Sequence, residues 1–152
     1  MRVITFLLLN FTALLIGGLF TGDGVTSDWY QELSKAPWTP PGWVFGAAWS
    51  SIMVCYAFYM ASLWNRSNKT DRRALTTLFA IQWILNVIWN PVFFYFHQIG
   101  FGLIVIGALT AVIALFFLRY LSRHIQTSLL LVPYFLWLVI ATSLNVYIYV
   151  YN

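Results

Sequence analysis

The chain has 152 residues, 61% of them hydrophobic and only 8% charged, against about 45–50% and about 25% in soluble domains. Its eight basic and four acidic side chains cannot cover a water-soluble globule of this size, so the natural solvent is lipid. The net charge of +4 sits on basic residues in short loops between apolar runs, which membrane topology explains better than a nucleic-acid partner.

A spanning helix needs about twenty mostly apolar residues, and five such runs predict a single domain, an all-α five-helix membrane bundle. They cover roughly 3–20, 43–64, 75–96, 100–121 and 127–150, with a long first loop over 21–42. The other connections are short, so consecutive helices are expected to be antiparallel neighbours. Arg2 ahead of the first run invites a signal-peptide reading. Leu19-Phe20-Thr21-Gly22 offers no small-x-small cleavage site, and the run is read as a mature helix. Asn10, Thr12, Gly17 and Gly18 suit close helix packing there.

The stretch Trp29–Trp49 holds four tryptophans, three prolines and two glycines. Pro37, Pro40 and Pro41 fix φ and remove donors, so the segment is expected to be stiff, extended and non-helical. It reads either as an aromatic belt at the membrane surface or as a lid over a pocket. The second run carries Trp49, Met53, Tyr56 and Met60 at helical spacing, with Ser50 and Cys55 on other faces. Cys55 is the only cysteine, which excludes an internal disulfide and a multi-cysteine metal site.

In the third run Gln82, Asn86 and Asn90 recur every four residues, with Trp83 and Trp89 beside them. Buried amides need partners, so they bond between helices or form a cavity wall. Pro91 frees the carbonyl of Val87 and predicts a kink. The fourth run is rich in small residues, with a Gly107-x-x-x-Ala111 pair suited to close contact within the bundle or in a homodimer. In the fifth, Trp137, Ala141 and Asn145 share a face, and Tyr147, Tyr149 and Tyr151 read as interfacial anchors.

The N-terminus, the 65–74 loop and the 122–126 loop are expected on one side. That side holds Arg2, Arg66, Lys69, Arg72, Arg73, Arg119 and Arg123, against Lys35 alone opposite. By the positive-inside rule the N-terminus is cytoplasmic and the aromatic stretch faces outward, with Asp23, Asp28 and Glu32. No Asp, Glu or Lys lies within a run, which argues against ion-coupled transport. His97 and His124 fall on opposite sides and cannot share a metal. Nothing in the spacing of Asp28, His97 and Ser34 supports a hydrolytic trio, nor of His97 a haem ligand. An aromatic, uncharged, amide-dotted interior describes a binder of flat hydrophobic molecules.

The segments WYQELSKAPWTPPGW, FGAAW, LNVIWNPVFF and PYFLWLVIATSLN together resemble the TspO/translocator family, the tryptophan-rich sensory proteins or peripheral-type benzodiazepine receptors. The resemblance covers nearly the whole chain. It implies a five-helix membrane bundle, commonly a homodimer, with a pocket under the first loop. Family ligands are porphyrins such as protoporphyrin IX, sterols in mitochondrial members, and isoquinoline carboxamides. By motif position it implies a pocket lined by Trp49, Asn86, Trp89, Trp137 and Ala141, under a lid shaped by Tyr30, Lys35, Pro40, Pro41 and Trp43. Asn145 joins the pocket from the face read above. Thr39 stands where animal members have histidine, and LNVYIYVYN ends without the basic residue of their sterol pattern. The chain is therefore expected in a bacterial cytoplasmic membrane, as a porphyrin receptor or sensor needing no cofactor. The alternatives are light- and oxygen-dependent porphyrin degradation, with Trp49 and Trp137 as the oxidisable partners, and passive transport of porphyrin or lipid.

Overall fold

The computed structural model describes residues 1–122 and 125–152. Arg123 and His124, both assigned above to the basic side, lie outside the described residues. Five long helices form: α1 (Arg2–Leu19), α3 (Gly42–Arg66), α4 (Lys69–Asn90), α5 (Ile99–Leu121) and α7 (Val132–Tyr151). Two short ones, α2 (Asp28–Glu32) and α6 (Ile125–Ser128), lie in the connections. Among the described residues there is no strand. Five segments are long and apolar enough to cross a membrane, and side chains such as Leu8, Leu15, Ile104 and Leu118 point outward. Water would make that surface an aggregation hazard, whereas hydrocarbon makes it the natural exterior. The protein is an all-α integral membrane protein.

The helices close into a ring. α3 packs on α1, α1 on α4, α4 on α5, α5 on α7, and α7 back on α3. Inside it lie Met53, Tyr56, Tyr59, Leu63, Ile113 and Phe116, all fully buried. Of the first helix's small and polar residues, two do the packing. Asn10 Nδ2 donates to the Met53 carbonyl at 3.0 Å. Gly17 lets Asn90 of α4 approach so closely that a Cβ would lie 2.5 Å from its Nδ2. Gly18 and Gly107 have no such neighbour within 4 Å among the described residues, so Gly107 does not mark a close helix contact there.

The basic end is tied together by Arg2, which donates to Asn65 Oδ1, and by the Ser62–Thr127 hydroxyl pair at 3.3 Å. Asn68 caps α4, accepting from the Asp71 N–H at 2.9 Å, so this helix starts six residues before the apolar run expected at 75. At the other end Pro91 cannot donate to the Val87 carbonyl, and the chain continues as one wide π turn over Pro91–Tyr95. The entry to α7 is likewise broken, through a 3₁₀ turn at Leu129–Leu131 ahead of Pro133.

The first loop departs from its expected form. Its first part is helical: Ser27 Oγ accepts from the Tyr30 N–H at 3.3 Å and starts α2. The signal was Ser27-Asp28, an N-cap followed by an acid in the first turn. Only the proline-rich part, 33–41, is extended and non-helical.

Candidate functional site

The first loop lies across the open end of the ring and is fastened along two edges. On one edge Trp29 stacks on His97 at 4.1 Å and meets the edge of Phe93 at 5.4 Å. His97 holds a positive φ of 54°, the only described non-glycine residue to do so, and that conformation turns its ring onto the lid. On the other edge Ser34 N donates to Asn152 Oδ1 at 2.9 Å, and Trp38 Nε1 donates to Ser143 Oγ at 3.2 Å. Trp38 also rests edge-on against Tyr147. Lys35 completes α2: its ammonium donates to the carbonyls of Tyr30 and Gln31 at 3.1 and 2.8 Å, where the helix dipole favours a cation.

Beneath the lid, Tyr30, Trp49, Trp89, Trp137, Ala141 and Asn145 line one cavity. They come from α2, α3, α4 and α7, so the site exists only when the ring and lid are assembled. The π turn aims Phe93 and Phe94 into its roof, where Trp89 stacks on Phe93 at 5.2 Å. Gly102 leaves room for that ring, since a Cβ there would lie 3.0 Å from Phe93 Cδ2. Burial pushes the Tyr30 hydroxyl above the usual tyrosine range.

Three polar atoms on this lining are buried and unpaired among the described residues: Trp89 Nε1, Trp137 Nε1 and Asn145 Oδ1. The other end of the Asn145 amide donates to the Ala141 carbonyl at 3.0 Å, and the oxygen lies toward Gly102 of α5, 3.7 Å from where a Cβ would stand there. An unpaired buried polar atom costs about 1–3 kcal/mol. Two donors and one acceptor converging on one space make a place for a ligand with both kinds of group.

The cavity itself is small, ≈ 20 Å³, room for about one water. Two larger spaces adjoin it. One of ≈ 450 Å³ lies under the extended loop, against Lys35, Thr39, Pro40 and Pro41. The other, ≈ 270 Å³, lies between the start of the first loop, α3 and the end of α4, against Asn90 and Gly46. Val25 and Phe45 line all three, so these two side chains partition one potential space. Phe45 stands edge-on to Trp137 at 5.5 Å. Sequence reasoning missed both residues, yet Phe45 precedes Trp49 by one turn and shares its face.

Two expected residues are elsewhere. Trp43 is 75% exposed: six residues before Trp49, it sits about 240° around the same helix. Asn86 is buried but lies off the lining, because Trp89, one turn on and about 60° around, takes that wall. The three amides of α4 separate for the same reason, each four-residue step drifting about 40°. Gln82 Nε2 donates to the Tyr134 hydroxyl at 2.7 Å, whereas Asn90 Oδ1 accepts from Thr21 at 3.0 Å. Asn86 has no hydrogen-bond partner among the described residues.

The profile of the TspO/MBR family matches residues 5–150. The chain belongs to that family. It is 35% identical over 136 residues to the tryptophan-rich protein TspO of Archaeoglobus fulgidus, covering 90% of this chain and 87% of that one. The translocator protein of Homo sapiens is 29% identical over 133 residues, 86% of this chain and 78% of its own. The tryptophan-rich sensory protein of Cereibacter sphaeroides is 30% identical over 118 residues, 78% and 73% respectively. This TspO/MBR chain is accordingly a membrane protein of the sensor or receptor type. Five of its eight tryptophans, Trp29, Trp38, Trp49, Trp89 and Trp137, lie at the lid or on the cavity beneath it.

Proposed function

We propose that the protein is a receptor or sensor that binds flat hydrophobic tetrapyrroles of the porphyrin class between its helices, under the first loop. The observation that carries this is the convergence of Trp89 Nε1, Trp137 Nε1 and Asn145 Oδ1, all unpaired, on a cavity walled by indole rings. Indole faces stack on a planar macrocycle. The two N–H groups suit acceptors on its rim or side chains, and the Asn145 oxygen suits a pyrrole N–H. The guest enters by displacing Val25 and Phe45, which joins the three spaces into one of ordinary ligand size. Lys35, at the edge of the largest, is the cation for a propionate. The porphyrin is a ligand, and no cofactor is required. In this reading the lid faces outward and the N-terminus lies in the cytoplasm of a bacterium. The basic residues gathered at the opposite end of the bundle support that orientation.

The test is a titration of detergent-solubilised protein with protoporphyrin IX in the dark, followed by tryptophan quenching. Saturable binding is expected, weakened by Trp137→Ala and by Ala141→Leu, which narrows the cavity. Binding indifferent to both substitutions refutes the assignment. A second reading follows from the same walls: a porphyrin held against Trp49 and Trp137 in light and oxygen would place oxidisable rings next to a photosensitiser. It requires bleaching that needs light and is lost in the Trp49→Phe/Trp137→Phe double variant while dark binding persists.

A further inference from the structure

A second space lies at the opposite, basic end of the bundle, on the lipid-facing side of α1, α3 and α4. It measures ≈ 330 Å³ and its walls are Phe6, Leu9, Met60, Trp64 and Phe79, with Arg2 at its mouth. Phe6 stands edge-on to both Trp64 and Phe79, at 6.3 and 5.3 Å, so the floor is rigid aromatic surface. Leu9, Thr5 and Thr76 on its rim are exposed, which opens it sideways to the membrane. From Arg2 to Leu9 it runs about 10 Å along the axis of α1. An apolar space of this size, open to hydrocarbon, fills with whatever chain fits it.

The mouth is what selects. Arg2 donates to the neutral amide of Asn65. The Arg72 guanidinium lies 5.4 Å from the centroid of the Trp64 ring, and its Nε donates to the Trp64 carbonyl at 3.3 Å. Neither partner neutralises the charge. Arg66, Lys69 and Arg73 add to the field in the same turn region, against the single carboxylate of Asp71. Arg2 on the groove's lining and Arg72 against its Trp64 wall bring two guanidinium groups to one apolar groove, which matches a phosphate joined to an acyl chain.

We propose that this groove binds one anionic phospholipid from the surrounding leaflet, its acyl chain on Phe6, Leu9 and Met60 and its headgroup phosphate on Arg2 and Arg72. The lipid would then be a fixed part of the α1–α3–α4 wall, at the opposite end of the bundle from the lid cavity and independent of any porphyrin.

The full chain in mixed micelles holding equal dioleoyl-phosphatidylglycerol and dioleoyl-phosphatidylcholine, read by native mass spectrometry, provides the test. One retained lipid per chain is expected, with phosphatidylglycerol preferred. Arg2→Gln should lower that preference about fivefold, the usual effect of one basic residue beside an anionic lipid, with helical content by circular dichroism unchanged. Thr76→Trp, at an exposed rim position, should fill the groove and release the retained lipid. Equal retention of the two lipids by the unsubstituted chain overturns the proposal, as does a preference untouched by both substitutions. If Thr76→Trp instead turns a dimer into a monomer while lipid retention stays the same, the groove belongs to a second copy and the proposal also fails.

Discussion

Asn145→Leu separates a binding residue from a packing residue by which of two quantities it changes. The side chain is 4% exposed, its Nδ2 is bonded to the Ala141 carbonyl at 3.0 Å, and its Oδ1 has no partner among the described residues. Leucine keeps the branched skeleton but its methyl groups are bulkier than the amide oxygen and nitrogen, so no cavity opens and overpacking costs about 1–3 kcal/mol. The substitution loses one local hydrogen bond worth about 0.5–1.5 kcal/mol, to a carbonyl that the helix already engages. It also relieves an orphaned oxygen that costs about 1–3 kcal/mol. The expected balance is a ligand-free protein within about 2 kcal/mol of the unsubstituted one. Porphyrin binding should weaken by about tenfold, the value of one hydrogen bond of about 1.4 kcal/mol. Thermal unfolding in micelles without ligand gives the first quantity and dark tryptophan quenching gives the second. A variant that is clearly destabilised and binds porphyrin as tightly as before would show that Asn145 holds α7 in place and has no part in the site.

Other substitutions probe the surrounding parts. Gly17→Ala puts a Cβ 2.5 Å from Asn90 Nδ2, so the Asn90 side chain must shift, straining its bond to Thr21 at a cost of about 1–2 kcal/mol; Gly18→Ala, helical and with open space around it, should stabilise by about 0.5–1 kcal/mol, and chemical unfolding of the pair checks both. Phe45→Leu thins the partition between the three spaces, so stopped-flow quenching should show porphyrin entering several-fold faster. Trp38→Phe removes the bond to Ser143 and should raise association and dissociation rates together while the affinity changes little. Lid docking should also weaken in alkali: the buried Tyr30 hydroxyl stays protonated when docked, whereas a released tyrosine ionises from about pH 10. Docking is therefore at full strength below about pH 10 and declines above it, which protease sensitivity of the loop can follow and Tyr30→Phe should flatten.

Much of this was legible in the chain because a bilayer simplifies the code. Each apolar run must satisfy its own backbone, so length and composition alone give five helices. Faces were legible where one helix decides them, as with Trp137, Ala141 and Asn145. They failed where drift accumulates. Four-residue spacing kept Gln82, Asn86 and Asn90 together on paper, but 3.6 residues per turn spread them toward α7, the interior and α1. The loop misled for a different reason. Three prolines dominate its composition, yet they act only on their own neighbours, and Ser27-Asp28 was free to start a helix ahead of them. Phe45 carried the signal of its shared face with Trp49, one turn on, whereas Val25 carried none; its importance comes from where the loop lands, which no local pattern encodes.

The closed state of the site bears on how a receptor of this shape would report its ligand. The lid is held by side-chain contacts of modest strength along two edges, the Trp29–His97 stack on one and the Ser34–Asn152 and Trp38–Ser143 bonds on the other. Beneath it, three polar atoms go unpaired and the space holds about one water. The ligand-free protein thus spends stability on a site that it keeps shut. A guest that pairs those atoms must first part Val25, which belongs to the lid, from Phe45 of α3 beneath it. Filling the site and moving the loop are then one event, since the space a macrocycle needs is the space the lid and Phe45 now divide. A signal at the lid follows from that exclusion alone, without any path of coupled residues through the bundle.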